Sequence, residues 1–150
     1  MAAKMTIWKK GRGKLGVHSP LLGTYAALAE SPMGAVKCTR TFTEILAGKY
    51  IELKAIREIG TAKYEEMAIF GAFEGELSFW SFTSDGKRSF GKISEAGDVH
   101  SEAICFEATM PGGIARMIYW PSENGAFCWA VESKVKKGWN RFDIHTYHKS

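Results

Sequence analysis

Short runs of aromatic and β-branched residues, each closed by a turn signal, dominate the chain after residue 35. The turn signals recur about every 10 to 15 residues, at positions 47–48, 60–63, 74–75, 85–86, 96–98, 111–113, 121–125 and 136–138. No stretch of this region has the 3.6-residue period of an amphipathic helix. The pattern predicts an all-β meander, sandwich or barrel. Ahead of it, Ser19 and Pro20 suit a helix N-cap and first helical position, which predicts one short helical turn that closes the bottom of a barrel, with a first strand near Thr24.

The segment 36–43 alternates strictly between two faces. One face is polar and made of good strand formers, so we expect it to meet solvent. The other face places Arg40 among the apolar side chains of Val36, Cys38 and Phe42. A buried guanidinium requires a partner or a ligand. A kink that returns Arg40 to the surface is the alternative.

The hairpin over residues 64–83 is apolar on both faces. With Glu74 and Gly75 as a two-residue loop, Phe70 lies opposite Phe79 and Ile69 lies opposite Trp80. One face fills the interior, and the other needs cover from a helix, from the N-terminal segment or from another subunit. We therefore expect a homodimer.

Length and charge restrict the classes of protein. The 150 residues suit one domain, and no apolar stretch approaches the roughly 20 residues that span a bilayer. The first 14 residues hold five basic side chains and no acidic one, whereas the rest holds the other 15 of 20 basic residues against all 16 acidic ones. We therefore expect a basic, flexible tail over 1–14, one barrel domain over 15–150, no specific nucleic-acid partner and no membrane partner. The N-terminus lacks a secretory h-region and the three cysteines are odd in number, which favours reduced thiols and a cytoplasmic location.

Catalytic and metal-binding motifs are lacking. The sequence has no nucleophile elbow, no P-loop and no dinucleotide-binding glycine motif that opens a helix. His145 and His148 lie three residues apart on a predicted strand and therefore point to opposite faces. No zinc-ligand spacing accompanies them. We assign neither catalytic residues nor a metal site.

The last hairpin has one apolar and one charged face. With Lys136 and Lys137 as its turn, the predicted opposing pairs are Glu132–Arg141, Val131–Phe142, Ala130–Asp143, Trp129–Ile144 and Cys128–His145. From the residues alone, the apolar face with Trp129, Val131, Phe142 and Ile144 is core and the charged face is solvated.

Four segments resemble lipocalin-like (calycin) barrels, near an uncharacterised bacterial lipocalin-like family and the nitrobindin-like haem barrels. They are LLGTY at 21–25, CTRTF at 38–42, ILAGKYI at 45–51 and WNRFDIHTY at 139–147. The resemblance spans most of residues 20–148 and implies a closed antiparallel up-and-down barrel of eight to ten strands with a cavity. Tyr25 stands where these barrels have Trp, and the Gly-rich stretch that follows in nitrobindins is replaced by AAL at 26–28.

The same resemblance gives the last strand a second interpretation. It turns Arg141 into the lumen, with Glu132, His145 and Tyr147. The two orientations of the hairpin exclude each other unless the strand contains a bulge, because a shift of one residue exchanges the faces.

Binding of a small, mostly apolar ligand with an acidic head group is the function these observations favour. The expected ligand-binding residues are Arg40, Trp80, Trp129, Glu132, Trp139, Arg141 and Tyr147. The alternatives are a haem or tetrapyrrole barrel with His145 or His148 as the iron ligand, an enzyme with Glu132 or Asp143 as base near Arg141, and a structural dimeric barrel without ligand.

Overall fold

The computed structural model describes residues 4–150. A 3-10 helix covers Lys14–Leu21 and ten strands follow it. The strands are β1 (Gly23–Ser31), β2 (Gly34–Ile45), β3 (Tyr50–Ile59), β4 (Ala62–Phe73), β5 (Glu76–Thr83), β6 (Arg88–Ser94), β7 (Ile104–Met110), β8 (Gly113–Pro121), β9 (Phe127–Val135) and β10 (Gly138–Lys149).

The strands form a closed antiparallel barrel. Each strand pairs with the next one along the chain, and β10 returns to pair with β1. This confirms the predicted all-β barrel and its number of strands. In the hairpin of β4 and β5, Ile69 lies opposite Trp80 and Phe70 opposite Phe79, as predicted.

The seam between β1 and β10 is short. Within the described residues, two residue pairs join these strands, Tyr25 with Lys149 and Ala26 with His148. A backbone hydrogen bond of 2.9 Å from Ser150 N to Thr24 O adds to them. By contrast, β1 pairs with β2 along its whole length. Residues 27–31 of β1 therefore pair with β2 on one side, and no residue pair joins them to β10 on the other side.

Aromatic side chains fill the lower half of the barrel, and the 3-10 helix closes that end. His18 and Leu21 of the helix are fully buried. The imidazole of His18 contacts the rings of Phe42, Phe70, Phe106 and Tyr119, with centroid distances from 4.2 to 6.5 Å. These contacts explain why the helix begins at Lys14 and not at Ser19–Pro20 as expected: burial of His18 inside the barrel stabilises a helical segment that the local sequence signals do not mark.

The predicted tail over 1–14 contacts the barrel where it is described. Met5 forms an isolated bridge with Glu123, and Thr6 N donates to Ser122 O at 2.9 Å. Trp8 N donates to Glu102 Oε1 at 3.2 Å. Residues 1–3 lie outside the described residues.

The outer face of β5 and β6 is aromatic. Trp80 packs against the rings of Phe73 and Phe90 at 5.8 and 5.6 Å, and Phe82 lies beside them, about half exposed. We call Phe73, Trp80, Phe82 and Phe90 the outer aromatic face. None of the described residues of the N-terminal segment is bonded to it, because that segment runs along the loops that contain Glu102 and Ser122.

Candidate functional site

Charged and polar side chains line the upper half of the lumen, above the aromatic core. Arg40 is 2% exposed and projects inward from β2, as the alternation of this strand predicts. A cavity of about 250 Å³ opens beside it, and its walls come from β2, β3, β4, β5, β9 and β10. Its lining consists of Cys38, Arg40, Ala55, Ile56, Arg57, Tyr64, Glu66, Thr83, Trp129, Val131, Phe142, Asp143 and Tyr147. We call this space the lumen cavity.

The guanidinium of Arg40 lies over aromatic rings. Its central carbon is 4.4 Å from the ring centroid of Trp129 and 5.7 Å from those of Tyr119 and Tyr147. Cation–π attraction stabilises a guanidinium in such a position and fixes its plane. Trp129 and Tyr147, both predicted ligand residues, are therefore brought together with Arg40.

The donors of Arg40 are not all satisfied by hydrogen-bond partners in the described structure. Its Nη2 lies 3.7 Å from Glu66 Oε1, beyond hydrogen-bond distance. Glu66 instead accepts a hydrogen bond of 2.5 Å from Ser81 Oγ. Arg40 Nε and Trp129 Nε1 are both buried and have no hydrogen-bond partner among residues 4–150. Buried donors are almost always paired in folded proteins, so each of these two donors is suited to an acceptor that the described residues do not supply.

Arg57, Asp143 and His145 lie together at the mouth of the cavity. Arg57 Nη2 donates to Asp143 Oδ2 at 2.8 Å, and His145 Nε2 lies 3.0 Å from Asp143 Oδ1. The imidazole stacks on Trp129 with an interplanar angle of 6°. Burial lowers the pKa of His145 below its ordinary value and outweighs the attraction of Asp143. Asp143 thus holds Arg57, which leaves Arg40 as the less completely paired cation.

A β-bulge at Phe142 decides the orientation of the last hairpin. Arg141 pairs with Glu132 as predicted, but the next pair is Asp143 with Val131. The register from there on differs by one residue from the prediction, so that His145 lies opposite Trp129 and Tyr147 opposite Phe127. The four other predicted pairs of this hairpin, Val131–Phe142, Ala130–Asp143, Trp129–Ile144 and Cys128–His145, are therefore wrong.

Because of the bulge, neither predicted orientation holds along the whole strand. Tyr147 and Trp129 face the lumen, whereas Arg141 and Glu132 lie on the outside of the barrel wall. Phe142 is 62% exposed and Ile144 is exposed as well, so neither is core. The extra residue lets β10 present a charged side chain outward at 141 and another inward at 143.

Glu132 and Arg141 belong to an ion cluster outside the lumen, in which Glu132 and Arg116 are buried and Arg141 and Asp98 are exposed. Glu132 accepts hydrogen bonds of 2.9 Å from Nε of Arg116 and from Nε of Arg141. Arg116 also donates to both carboxylate oxygens of Asp98, at 3.1 and 2.7 Å, and lies 4.2 Å from the ring of Trp139. These contacts hold the loop that contains Asp98 against the barrel wall. Glu132, Arg141 and Trp139 are therefore separated from the lumen cavity by the sheet.

Two further predicted residues also lie on the outside. Trp80 is part of the outer aromatic face and does not reach Arg40. His148 is exposed and pairs with Ala26 at the seam, on the side opposite to Tyr147. Of the seven predicted ligand residues, the structure brings Arg40, Trp129 and Tyr147 together and leaves Trp80, Glu132, Trp139 and Arg141 elsewhere.

Two charged residues of the lumen cavity, Glu66 and Arg57, are not among the predicted ligand residues. Glu66 precedes Phe70 by four residues in the same strand, so its inward orientation follows from the predicted hairpin. Arg57 follows Ile51, Leu53 and Ala55 on one face of β3, so the alternation of that strand could have placed it inside as well.

The residues present do not fit haem. His148 faces away from the lumen. His145 Nε2 has no hydrogen-bond partner in the described structure, but it lies 3.0 Å from Asp143 Oδ1, and His145 is not among the residues that line the cavity. The cavity of about 250 Å³ lies below the range of about 300–1,000 Å³ that drug-sized ligands occupy, and a macrocycle needs more. In the described part of the chain no group of three or more His, Cys, Asp or Glu side chains is arranged to hold a metal ion.

Comparisons with known proteins leave the family open. No protein-family model and no curated protein matches the chain. The fold is compatible with a calycin-like barrel on its architecture alone. Within residues 4–150, no helix has the length and apolar character needed to cross a membrane.

Proposed function

We propose that the protein binds a small, mostly apolar ligand with a carboxylate or similar planar acidic head group in the lumen cavity. The observation that carries this proposal is Arg40, a permanently charged side chain that is 2% exposed and whose Nε has no partner in the described structure. A carboxylate matches the paired donors of a guanidinium in geometry and charge. The ligand head would complete the coordination of Arg40.

The remaining walls suit an apolar body. Ala55, Ile56, Val131 and Phe142 line the cavity together with the ring of Trp129. Apolar walls with few, well-placed polar groups are typical of small-molecule sites. The cavity volume of about 250 Å³ restricts the ligand to a small molecule, such as a single-ring or short-chain acid.

Benzoate and benzyl alcohol form a suitable pair of probes, because they share the ring and differ in the charged head. We expect benzoate to quench or shift the fluorescence of Trp129 and benzyl alcohol to bind at least tenfold more weakly. Arg40→Met keeps the length of the side chain and removes the charge, so it should abolish the preference for benzoate. Arg12→Met, at an exposed arginine of the N-terminal segment, is the matched control and should leave it unchanged. Equal binding of benzoate by the wild type and Arg40→Met would overturn the proposal.

The enzyme alternative has less support. Its two candidate bases lie on opposite sides of the barrel wall, and Glu132 is held by Arg116 and Arg141 together. Asp143 is inside but is separated from Arg141 by the bulge. We therefore favour binding over acid–base catalysis.

We further infer a cytoplasmic location. Cys38, Cys105 and Cys128 form no disulfide with one another. Free thiols are typical of reducing compartments.

A further inference from the structure

The wall of the lumen cavity contains a thiol next to its two arginines. Cys38 projects inward from β2, two residues before Arg40, and lies directly opposite Arg57 of β3. It is 3% exposed and forms no disulfide. The orphan donor of Arg40 in the same cavity indicates where an anionic group would bind. Residues two apart on one face of a strand are about 7 Å apart, so a carboxylate bound at Arg40 would place its neighbouring carbon atoms within reach of the Cys38 sulfur.

We propose that Cys38 is a covalent attachment site for small electrophilic carboxylates, such as short α,β-unsaturated acids. This inference rests on the proposed function, because the carboxylate is held by Arg40. In the reaction, the sulfur forms a bond with the β-carbon of the double bond and the thiol proton ends on the α-carbon. No group leaves and nothing is oxidised, so the step requires no further reactant.

The reaction should select Cys38 over the other two cysteines because Cys38 lies beside the anion site. A reactant that is held beside a nucleophile reacts as if its local concentration were very high. The two other cysteines lack such an anion site. Cys105 is fully buried on the outside of the barrel wall, where burial raises its pKa to about 12. Cys128 is half-buried on the outside, 3.7 Å from Thr146 Oγ1.

The test uses iodoacetate and iodoacetamide, which are nearly equal in size and differ in charge. Each transfers its carbon to sulfur with loss of iodide, and the thiol proton goes to water. Peptide mass spectrometry of the folded protein gives the rate at each cysteine. The same protein unfolded in urea gives the intrinsic ratio of the two rates. We expect the iodoacetate to iodoacetamide ratio at Cys38 to exceed the unfolded ratio at least tenfold, and the ratio at Cys128 to stay within about twofold of it.

Two further measurements keep the result interpretable. Arg40→Met should bring the ratio at Cys38 back to the unfolded value. In the wild type, added benzoate should slow the reaction of iodoacetate with Cys38 and should not change the rate of either reagent at Cys128. This measurement tests the role of the anion site without a substitution.

The outcomes separate this inference from the proposed function. If benzoate binds in an Arg40-dependent manner while Cys38 shows the unfolded ratio or does not react, the attachment site is wrong and ligand binding stands. If benzoate does not bind and Cys38 shows no charge preference, both proposals are wrong.

Discussion

At the scale of single residues, His18 combines complete burial with two ring nitrogens that have no hydrogen-bond partner among residues 4–150. Its surroundings are aromatic rings from four strands. Burial lowers its pKa to about 3, from an ordinary value of 6.5. The imidazole is therefore neutral in the folded protein at every pH above about 3, whereas in the unfolded chain it takes up a proton below about 6.5.

This difference predicts acid sensitivity. As the pH falls from 6.5 towards 3, the unfolded state binds a proton that the folded state does not, so this group lowers the free energy of unfolding by up to about 1.4 kcal/mol per pH unit. The penalty is absent above pH 6.5. His18→Leu removes it and also removes an unsatisfied polar group from the core.

Urea unfolding at pH 7 and pH 5 measures the effect. We expect the stability of His18→Leu relative to the wild type to rise by about 2 kcal/mol between pH 7 and pH 5. His100→Leu, which changes a half-buried histidine in the loop between β6 and β7, is the control. The same relative stability at both pH values would show that His18 is protonated in the folded protein.

At the scale of elements, strict alternation placed Arg40 of β2 inside and gave the register of the hairpin of β4 and β5. It did not decide which face of that hairpin is internal, and Trp80, a predicted ligand residue, lies on the outer face. Alternation failed in β10, because the extra residue Phe142 reverses the side of the barrel wall to which the side chains after it point. The sequence contains no signal for this bulge, since Phe142 is an ordinary strand residue. The 3-10 helix was displaced for a related reason: contacts with distant strands, and not local propensity, determine where it begins.

The bulge makes a prediction about Phe142. Its side chain is largely exposed, so Phe142→Asp should change the free energy of unfolding by less than about 1 kcal/mol. Phe127→Asp is the matched comparison, because Phe127 is 1% exposed and packs against Tyr25 and Tyr147. An unpaired charge at that position should cost several kcal/mol. Thermal unfolding by circular dichroism measures both, and a severe effect at Phe142 would argue for a regular strand with Phe142 inside.

At the scale of the whole molecule, the outer aromatic face remains without cover from the described residues of the chain. Beside it a groove of about 730 Å³ runs between β5, β6 and β7. Arg88, Lys92 and Glu107 line this groove, and Lys92 Nζ is paired with Glu76 Oε2 at 3.0 Å. In a two-fold contact the aromatic faces of the two copies would cover each other.

We therefore expect a homodimer through this face. Sedimentation velocity at micromolar concentration should give twice the monomer mass of 16.6 kDa. Trp80→Glu should shift the protein to the monomer, whereas Tyr64→Glu, an exposed aromatic residue at the lumen mouth, should not. A monomer in the wild type would contradict this expectation.

The short seam between β1 and β10 has a consequence for the order in which the protein folds. Nine of the ten strand pairings join strands that are consecutive in the chain. The pairing of Tyr25 with Lys149 joins residues more than 120 positions apart. Bringing β1 and β10 together closes the longest loop of any strand pairing, so it has the largest loop-closure entropy cost. In the described residues only two residue pairs and one backbone hydrogen bond offset this cost. Ring closure should therefore come last in folding, and the backbone amides at this seam should exchange with solvent before those of any other ladder.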